Sequence, residues 1–301
     1  MTNRTVVVGD VGGTHSRWAI FDGALGSVSV QRTADTRTAT EALNQFLGEN
    51  PCTPDAVCLG VAGPVVKGTA SLTNVEWTAS EFEIPWPTKI LNDLEAVAYA
   101  LPSLNTSDVS FVGGHLVQGR QLVLGVGTGF GGAIYDNPGV IPMEPGHEPL
   151  VAFDDESEEF LHQLKRIVEH PTVEDVVSGR GFEMVLRMRA IDPGGMAAGR
   201  LVMDGWESSV ELAWIRRHFL RFFGHTVGRM AAQLQATGGV FLTGGVVGHW
   251  SRHLSSELFM DSMRKSCARF GELDCPAVQI IRHEFAALLG AGTVGQTLIE
   301  Q

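Results

Sequence analysis

The amino-acid sequence predicts an α/β fold, for three reasons. Short apolar runs rich in β-branched residues alternate with segments of helical spacing along the chain. A strand, a glycine-rich turn and a second strand follow one another twice, at residues 6–22 and 120–136. Hydrophobic residues make up 44% of the chain and charged residues 19%, which allows a substantial core. The 301 residues suffice for one large domain or for two of ordinary size.

Local patterns define the elements in the first third of the chain. Residues 5–8 are β-branched in succession, which is typical of a strand buried on both faces. Residues 17–21 are expected to pair antiparallel with this strand, because Gly12 and Gly13 make a tight turn at low steric cost. The next expected elements are a helix at 41–49, a buried strand at 56–63 and, within 88–101, a short strand followed by a helix that begins at Asp93.

A second block begins near residue 120 and repeats the layout of the opening. A loop at 137–150 follows it, rich in glycine and proline. The later elements are expected to be helices at 155–169, 206–235, 251–269 and 286–299, with a third strand within 238–249 that leads to Gly244 and Gly245. Because the chain has no low-complexity linker, a domain boundary is expected at a compact crossover near 101–105.

Charge and apolar patterning limit the classes of function. The formal net charge is -12, whereas a protein whose main partner is nucleic acid needs a basic surface. The sequence has no apolar run approaching the roughly 20 residues of a membrane span, and its N-terminal run is too short for a signal peptide. A soluble, cytoplasmic protein is therefore expected, with neither nucleic acid nor membrane as its partner.

The cysteines suggest structural thiols. The four of them, Cys52, Cys58, Cys267 and Cys275, form no C-x-x-C pair and fall into two separate groups. Such spacing favours reduced, mostly buried thiols over a disulfide or a zinc site.

The glycine-rich turns can be interpreted in three ways. A P-loop requires G-x-x-x-x-G-K-[ST], which the chain lacks. The glycines of GVGTGFGG superficially match a dinucleotide fingerprint, but that motif opens a helix, whereas GGAIYD continues as a strand. In the third interpretation, two β-hairpins bind phosphate through backbone N–H groups and threonine hydroxyls, and Asp10 faces a magnesium ion. Each turn alone could be an ordinary hairpin; the repetition favours a nucleotide site.

Several longer motifs point to one family. The segments GDVGGTHSRWAI, LTNVEW, ILNDLEAVA, GVGTGFGGA, EPGHEPL, VEDVVSGRG, FLTGGVV and ALLGAG occur in the order found in bacterial glucokinases, which belong to the hexokinase–actin–Hsp70 ATPase superfamily. The resemblance extends from Val6 to about Gly292. It implies a two-domain actin-like ATPase (ribonuclease H-like) fold with a cleft between its domains. The small domain would comprise residues 1–102 plus 283–301, and the large domain residues 103–282.

The resemblance also implies a role for each motif. Asp93 matches the general base that accepts the proton of the sugar 6-hydroxyl, while as a residue type at this position it could equally be a helix N-cap. The residues implied to bind the sugar, besides Asp93, are Asn74, Asn92, Glu144, His147 and Glu174. Those implied to bind ATP are Asp10, Gly12, Gly13, Thr14, Gly127, Thr128, Gly129, Gly244 and Gly245, with Asp10 also near Mg²⁺.

Two departures from the family pattern concern the sugar. His15 stands where the family usually has asparagine, and Pro145 stands where it usually has glycine. These departures support a sugar kinase more than a kinase of glucose alone. From the resemblance we expect a glucokinase that acts in glycolysis, with a kinase for mannose, glucosamine or another hexose as the alternative. A sensor that binds sugar or nucleotide without turnover is the rival outside catalysis. The related ROK family carries a cysteine-rich zinc motif that is missing here, and the glucokinase resemblance makes a homodimer the expected assembly.

Overall fold

The computed structural model describes residues 4–72, 75–268 and 275–300. These residues form two compact units. The first unit falls within Met1–Thr106, Pro138–Pro142 and His283–Gln301, and the second within Ser107–Asn137 and Met143–Arg282.

The strands come mainly from the apolar, β-branched runs. In chain order they are β1 (Val6–Val11), β2 (His15–Phe21), β3 (Ser29–Arg32), β4 (Ala56–Val61), β5 (Val65–Val66), β6 (Thr69–Ser71), β7 (Thr78–Ser80), β8 (Thr88–Asn92), β9 (Val109–Gly113), β10 (Gln121–Val126), β11 (Phe130–Asp136), β12 (Gly139–Met143), β13 (Val240–Thr243) and β14 (Val278–Ile281).

The α-helices follow the segments of helical spacing. In chain order they are α1 (Ala39–Glu49), α2 (Asp93–Ala100), α3 (Asp155–Leu164), α4 (Gly179–Met188), α5 (Ala198–Gly205), α6 (Val210–Gln233), α7 (Gly245–Leu254), α8 (Glu257–Ala268) and α9 (Ala286–Glu300). Within the described residues, none of these helices has the length and apolar character needed to cross a membrane.

The first unit is built on a five-stranded sheet of order β3-β2-β1-β4-β8. Strand β1 pairs antiparallel with β2 on one side and parallel with β4 on the other. Strand β8 extends the parallel part of the sheet. The carboxyl ends of β1, β4 and β8 therefore lie at one edge, which is where ligands bind in open α/β sheets.

The second unit repeats this arrangement in a sheet that contains, in order, the strands β11, β10, β13, β14 and β9. Strand β10 pairs antiparallel with β11 and parallel with β13. The turn after β10 and the turn after β13 therefore lie at the same edge of the sheet. This confirms the repeated layout predicted from residues 6–22 and 120–136.

Within the first unit, helix α9 packs closely against α2 and β1 through glycines. A Cβ atom at Gly290 would lie 1.8 Å from the carbonyl oxygen of Ala96 in α2. A Cβ atom at Gly295 would lie 2.3 Å from a methyl carbon of Val6 in β1. These positions need glycine because backbone and side chains approach too closely for any larger residue.

Two predicted helices differ from those in the structure. The helix predicted at 251–269 is two helices, α7 and α8, because the amides of Phe259 and Met260 both donate to the carbonyl of Ser256 and so begin a new helix there. The helix predicted to end at Glu169 ends at Leu164, whose carbonyl accepts from two successive amides rather than continuing the regular ladder. The four cysteines are free thiols, and burial raises the pKa of the Cys58 thiol.

Candidate active site

The first glycine turn, between β1 and β2, is hydrogen-bonded to a buried threonine. Gly12 donates its amide to the carbonyl of His15 at 3.0 Å, which closes the turn between β1 and β2. Thr33 donates its hydroxyl to the carbonyl of Gly12 at 2.7 Å and its amide to the carbonyl of Thr14 at 3.1 Å. Since Gly13 and Thr14 are exposed, the turn is fixed on one side and open on the other.

A carboxylate and a guanidinium face each other beside this turn. Asp10 and Arg17 are partners in the β1–β2 register, and Arg17 Nη1 lies 3.5 Å from Asp10 Oδ2. Burial raises the pKa of the Asp10 carboxyl, and the charge of Arg17 acts in the opposite direction. Asp10 is thus a partly shielded carboxylate whose ionised form gains from a nearby cation.

The end of β8 passes directly into α2 through a capping box. The side-chain oxygen of Asn92 accepts from the amides of Leu94 and Glu95, and Glu95 accepts in return from the amide of Asn92. Asn92 also donates from Nδ2 to the carbonyl of Gly63 at 3.1 Å. Asn92 is therefore the N-cap, and the interpretation of Asp93 as N-cap is corrected: Asp93 is the first residue of α2.

Asp93 has its own hydrogen bond at the start of α2. Its Oδ1 accepts from the amide of Leu94 at 3.0 Å. The amino end of a helix favours a carboxylate, because the unpaired N–H groups carry a partial positive charge there. Asp93 is half-buried at the same sheet edge as the turn after β1.

The second glycine turn is braced by the amino end of α4. Gly127 donates its amide to the carbonyl of Gly129 at 3.0 Å, which closes the turn. Gly179 then donates to the carbonyl of Gly127 at 2.7 Å, and Arg180 to the carbonyl of Thr128 at 3.3 Å. Both turn carbonyls are therefore occupied on the side of α4.

A glutamate, an arginine and a histidine cluster next to this turn. Glu174 Oε1 lies 3.2 Å from Nη2 of Arg180 and 3.9 Å from Nδ1 of His147. A Cβ atom at Gly129 would lie 2.9 Å from the other oxygen of Glu174. The glycine therefore lets the carboxylate approach the turn closely.

The segment Glu144–His147 is a closely packed loop with exposed polar ends. Pro145–His147 form a 3₁₀ turn, in which His147 donates its amide to the carbonyl of Glu144 at 3.2 Å. Gly146 is buried, and a Cβ atom there would lie 2.4 Å from the carbonyl oxygen of Phe130. Pro145 is also buried, while Glu144 and His147 are exposed. The loop thus holds its backbone against β11 and directs two polar residues outward.

The third glycine pair begins a helix. Gly244 has a φ of +98° and is the N-cap of α7, and a Cβ atom there would lie 2.4 Å from the carbonyl oxygen of Val126. At Gly245 a Cβ atom would meet nothing within 4 Å. The first glycine is required by backbone conformation and by close approach to β10, while the second lies in open space beside it.

In each unit the structure brings together most of the predicted residues of that unit. The first unit collects Asp10, Gly12, Gly13, Thr14, Asn92 and Asp93 at the carboxyl edge of its sheet. In the second, the turns containing Gly127, Thr128, Gly129, Gly244 and Gly245 share the corresponding edge, and Glu174 and His147 cluster beside Gly129. Asn74 lies outside the described residues.

Sequence reasoning missed three residues that shape these sites. Arg17 lies in a predicted strand, and the sequence does not reveal that its register partner is Asp10. Thr33, which follows β3, donates to the carbonyl of Gly12 in the first turn, and local sequence patterns do not indicate this contact. Arg180 lies inside the motif VEDVVSGRG, which marks its position but does not indicate that its charge faces Glu174.

Comparison with known proteins identifies relatives over nearly the whole chain. The profile of the family described as Glucokinase matches residues 7–298. A glucokinase from Caulobacter vibrioides (strain NA1000 / CB15N) is 31% identical over 309 residues, which cover 95% of this chain and 93% of that protein. A glucokinase from Yersinia enterocolitica is 29% identical over 307 residues, covering 95% and 94%.

A solved structure shows the same fold. The crystal structure of a glucokinase from an Antarctic psychrotroph superimposes with a TM-score of 0.86 and 23% sequence identity, covering 98% of this chain and 99% of that chain. This likeness confirms the predicted α/β fold of the actin-like ATPase type. The predicted domain limits and the cleft stay predictions.

Proposed function

The chain belongs to the glucokinase family, and we propose that it transfers the γ-phosphate of magnesium ATP to the 6-hydroxyl of glucose. The observation that carries the proposal is the family match over residues 7–298, which includes the glycine turns of both units and the strand–helix junction at Asp93. We further propose that the enzyme acts in the cytoplasm at the entry to glycolysis and assembles as a homodimer.

In this proposal Asp93 is the general base. Its carboxylate accepts the proton of the sugar 6-hydroxyl as that oxygen attacks the γ-phosphorus, and the bond from phosphorus to the bridging oxygen of ADP breaks. The capping box of Asn92 supports this role because it fixes the backbone from which the carboxylate projects. General-base catalysis of this kind contributes about 100- to 10,000-fold in rate.

Five residues are proposed to bind sugar hydroxyl groups: Asn74, Asn92, Glu144, His147 and Glu174. Carboxylates and a neutral imidazole accept hydrogen bonds from hydroxyl groups, and an amide donates to them. Asn92 uses one hydrogen of Nδ2 on Gly63, so its second hydrogen suits a sugar oxygen. The 3₁₀ turn of Pro145–His147, in which proline fixes one backbone angle, supports the orientation of Glu144 and His147.

The glycine turns are proposed to hold the nucleotide. Gly12, Gly13 and Thr14 serve the γ-phosphate, Gly127, Thr128 and Gly129 the β-phosphate, and Gly244 with Gly245 the adenosine. The exposed, pinned turn at Gly13 and Thr14 supports this assignment, because it presents amides and a hydroxyl without a side chain in the way. Phosphoryl transfer depends mainly on such positioning and on charge neutralisation.

Magnesium is proposed to bind with the nucleotide beside Asp10. Among residues 4–72, 75–268 and 275–300, no group of three or more His, Cys, Asp or Glu side chains could hold a metal ion alone. One carboxylate together with phosphate oxygens and water is, however, a usual environment for Mg²⁺. Asp10 fits this environment, since its half-buried carboxylate gains from a cation. When bound, the ion neutralises charge on the phosphate oxygens.

The proposal is tested by measuring ADP release from magnesium ATP with five sugars: glucose, mannose, fructose, glucosamine and N-acetylglucosamine. We expect the highest kcat/KM with glucose. Turnover with another hexose but not with glucose would support the kinase reaction with a different substrate. The residues to examine for that specificity would then be His15 and Pro145. Binding of a sugar without ADP release for any of the five would overturn the proposal in favour of a sensor.

A further inference from the structure

The side chain of Arg180 lies against the second glycine turn. Its Nε lies 3.4 Å from the carbonyl oxygen of Thr128, the residue at the tip of that turn. A Cβ atom built on Gly129 would lie 3.5 Å from its Nη2. The guanidinium therefore reaches the turn from α4, whose amino end is already fixed there by backbone hydrogen bonds.

The same guanidinium is paired with a residue proposed to bind the sugar. Nη2 of Arg180 donates to Oε1 of Glu174 at 3.2 Å. The side chain of Arg180 is 62% exposed, whereas that of Glu174 is 19% exposed. An ion pair with one such exposed member contributes little to stability, so exchanging its partner has a low cost. Within the described part of the chain, Nη1 has no hydrogen-bond partner.

We propose that Arg180 donates to a phosphate oxygen of the bound nucleotide and that Glu174 is its partner before the nucleotide binds. The inference rests on the proposed function, because it takes Gly127–Gly129 as the phosphate-binding turn. A guanidinium pairs more strongly with a phosphate than with a half-exposed carboxylate when it can donate two parallel hydrogen bonds.

This exchange couples the two substrates. When Arg180 turns to the phosphate, Glu174 loses a donor and becomes available to accept from a sugar hydroxyl. Nucleotide binding therefore tightens sugar binding, and by thermodynamic reciprocity sugar tightens nucleotide binding by the same factor.

The test compares Arg180→Met with Arg187→Met, which removes the same charge from the exposed carboxyl-terminal turn of α4. Calorimetric titration measures the Kd of a non-hydrolysable magnesium ATP analogue, of adenosine and of glucose. We expect Arg180→Met to weaken analogue binding about 10- to 100-fold, as for a lost hydrogen bond to a charged group, with adenosine binding unchanged. Arg180→Met keeps the amide that donates to the carbonyl of Thr128, so the amino end of α4 stays in place.

The coupling provides a second readout. In the wild type the analogue lowers the Kd for glucose, and in Arg180→Met this effect is lost while glucose binding without nucleotide is not weakened. A merely structural role for Arg180 in orienting Glu174 predicts the reverse: weaker glucose binding with the coupling retained.

Two further results would contradict the inference in distinguishable ways. If the wild type phosphorylates glucose and Arg180→Met binds the analogue like Arg187→Met, the inference fails alone. If the wild type binds neither glucose nor the analogue, the proposed function fails and the inference fails with it.

Discussion

Arg17 and Asp10 face each other across the β1–β2 pair, with Nη1 of Arg17 3.5 Å from Oδ2 of Asp10. Burial nevertheless raises the pKa of Asp10, because desolvation outweighs this half-exposed guanidinium. A carboxyl whose pKa is raised in the folded state contributes stability that is fully present below its unfolded pKa and is lost as pH rises through the folded pKa. At neutral pH, which lies above the pKa of an aspartate in the unfolded chain, the raised pKa of Asp10 therefore lowers the stability of the fold.

The first prediction follows from the direction of this pH dependence. Asp10→Asn should raise the free energy of unfolding at about pH 7 more than at about pH 4, because the cost of a raised carboxyl pKa grows as pH rises above the unfolded pKa. Urea unfolding at both pH values measures the difference. The same variant should bind magnesium ATP more weakly. The difference in unfolding free energy between Asp10→Asn and the wild type should be larger at about pH 7 than at about pH 4. An equal or smaller difference at the higher pH would contradict the account of Asp10.

The second prediction concerns the cap of α2. Asn92→Ala removes the acceptor for the amides of Leu94 and Glu95 as well as the donor to Gly63. Loss of such an N-cap costs about 0.5–2 kcal/mol. Asn92→Ser retains a capping hydroxyl and should lose less. Urea unfolding of the three proteins checks the order, and equal stability of the alanine and serine variants would show that the cap is not what Asn92 contributes.

The third prediction uses two glycines in helices. Gly290→Ala places a methyl group 1.8 Å from the carbonyl oxygen of Ala96, and overpacking of this kind costs about 1–3 kcal/mol or more. Gly248→Ala in α7 meets nothing within 4 Å and should stabilise by about 0.5–1 kcal/mol, since alanine favours the helix. Thermal unfolding should therefore show opposite shifts in Tm. Shifts of the same sign would contradict the packing described for α9.

Hairpins and buried strands could be predicted from the sequence because their signals are local. The β-branched run before Asp10 and the glycines after it determine a strand and a turn without reference to distant residues. The break between α7 and α8 also has a local signal, since Ser256 is a residue type common at helix N-caps and lies within the predicted helix 251–269. Apolar residues at helical spacing on both sides of Ser256 nevertheless predict one continuous helix.

Contacts formed by distant segments could not be predicted in this way. Arg180 lies 52 positions beyond Thr128, and Thr33 lies 21 beyond Gly12, so neither contact leaves a trace in local spacing. Only part of the role of Asn92 is visible in the sequence: its capping box with Glu95 is a local pattern, whereas its bond to Gly63 depends on how β4 and β8 pair.

The most direct test of the central claim is the reaction of Asp93→Asn with glucose and magnesium ATP, with Asp35→Asn as an exposed control. Glucose 6-phosphate is identified by phosphorus NMR, and its rate of formation is measured at saturating substrates. The account predicts glucose 6-phosphate from the wild type and the control, a kcat about 100- to 10,000-fold lower in Asp93→Asn, and glucose binding retained in all three. A wild-type protein that binds glucose without forming the phosphate, or an Asp93→Asn variant as fast as the control, would contradict it.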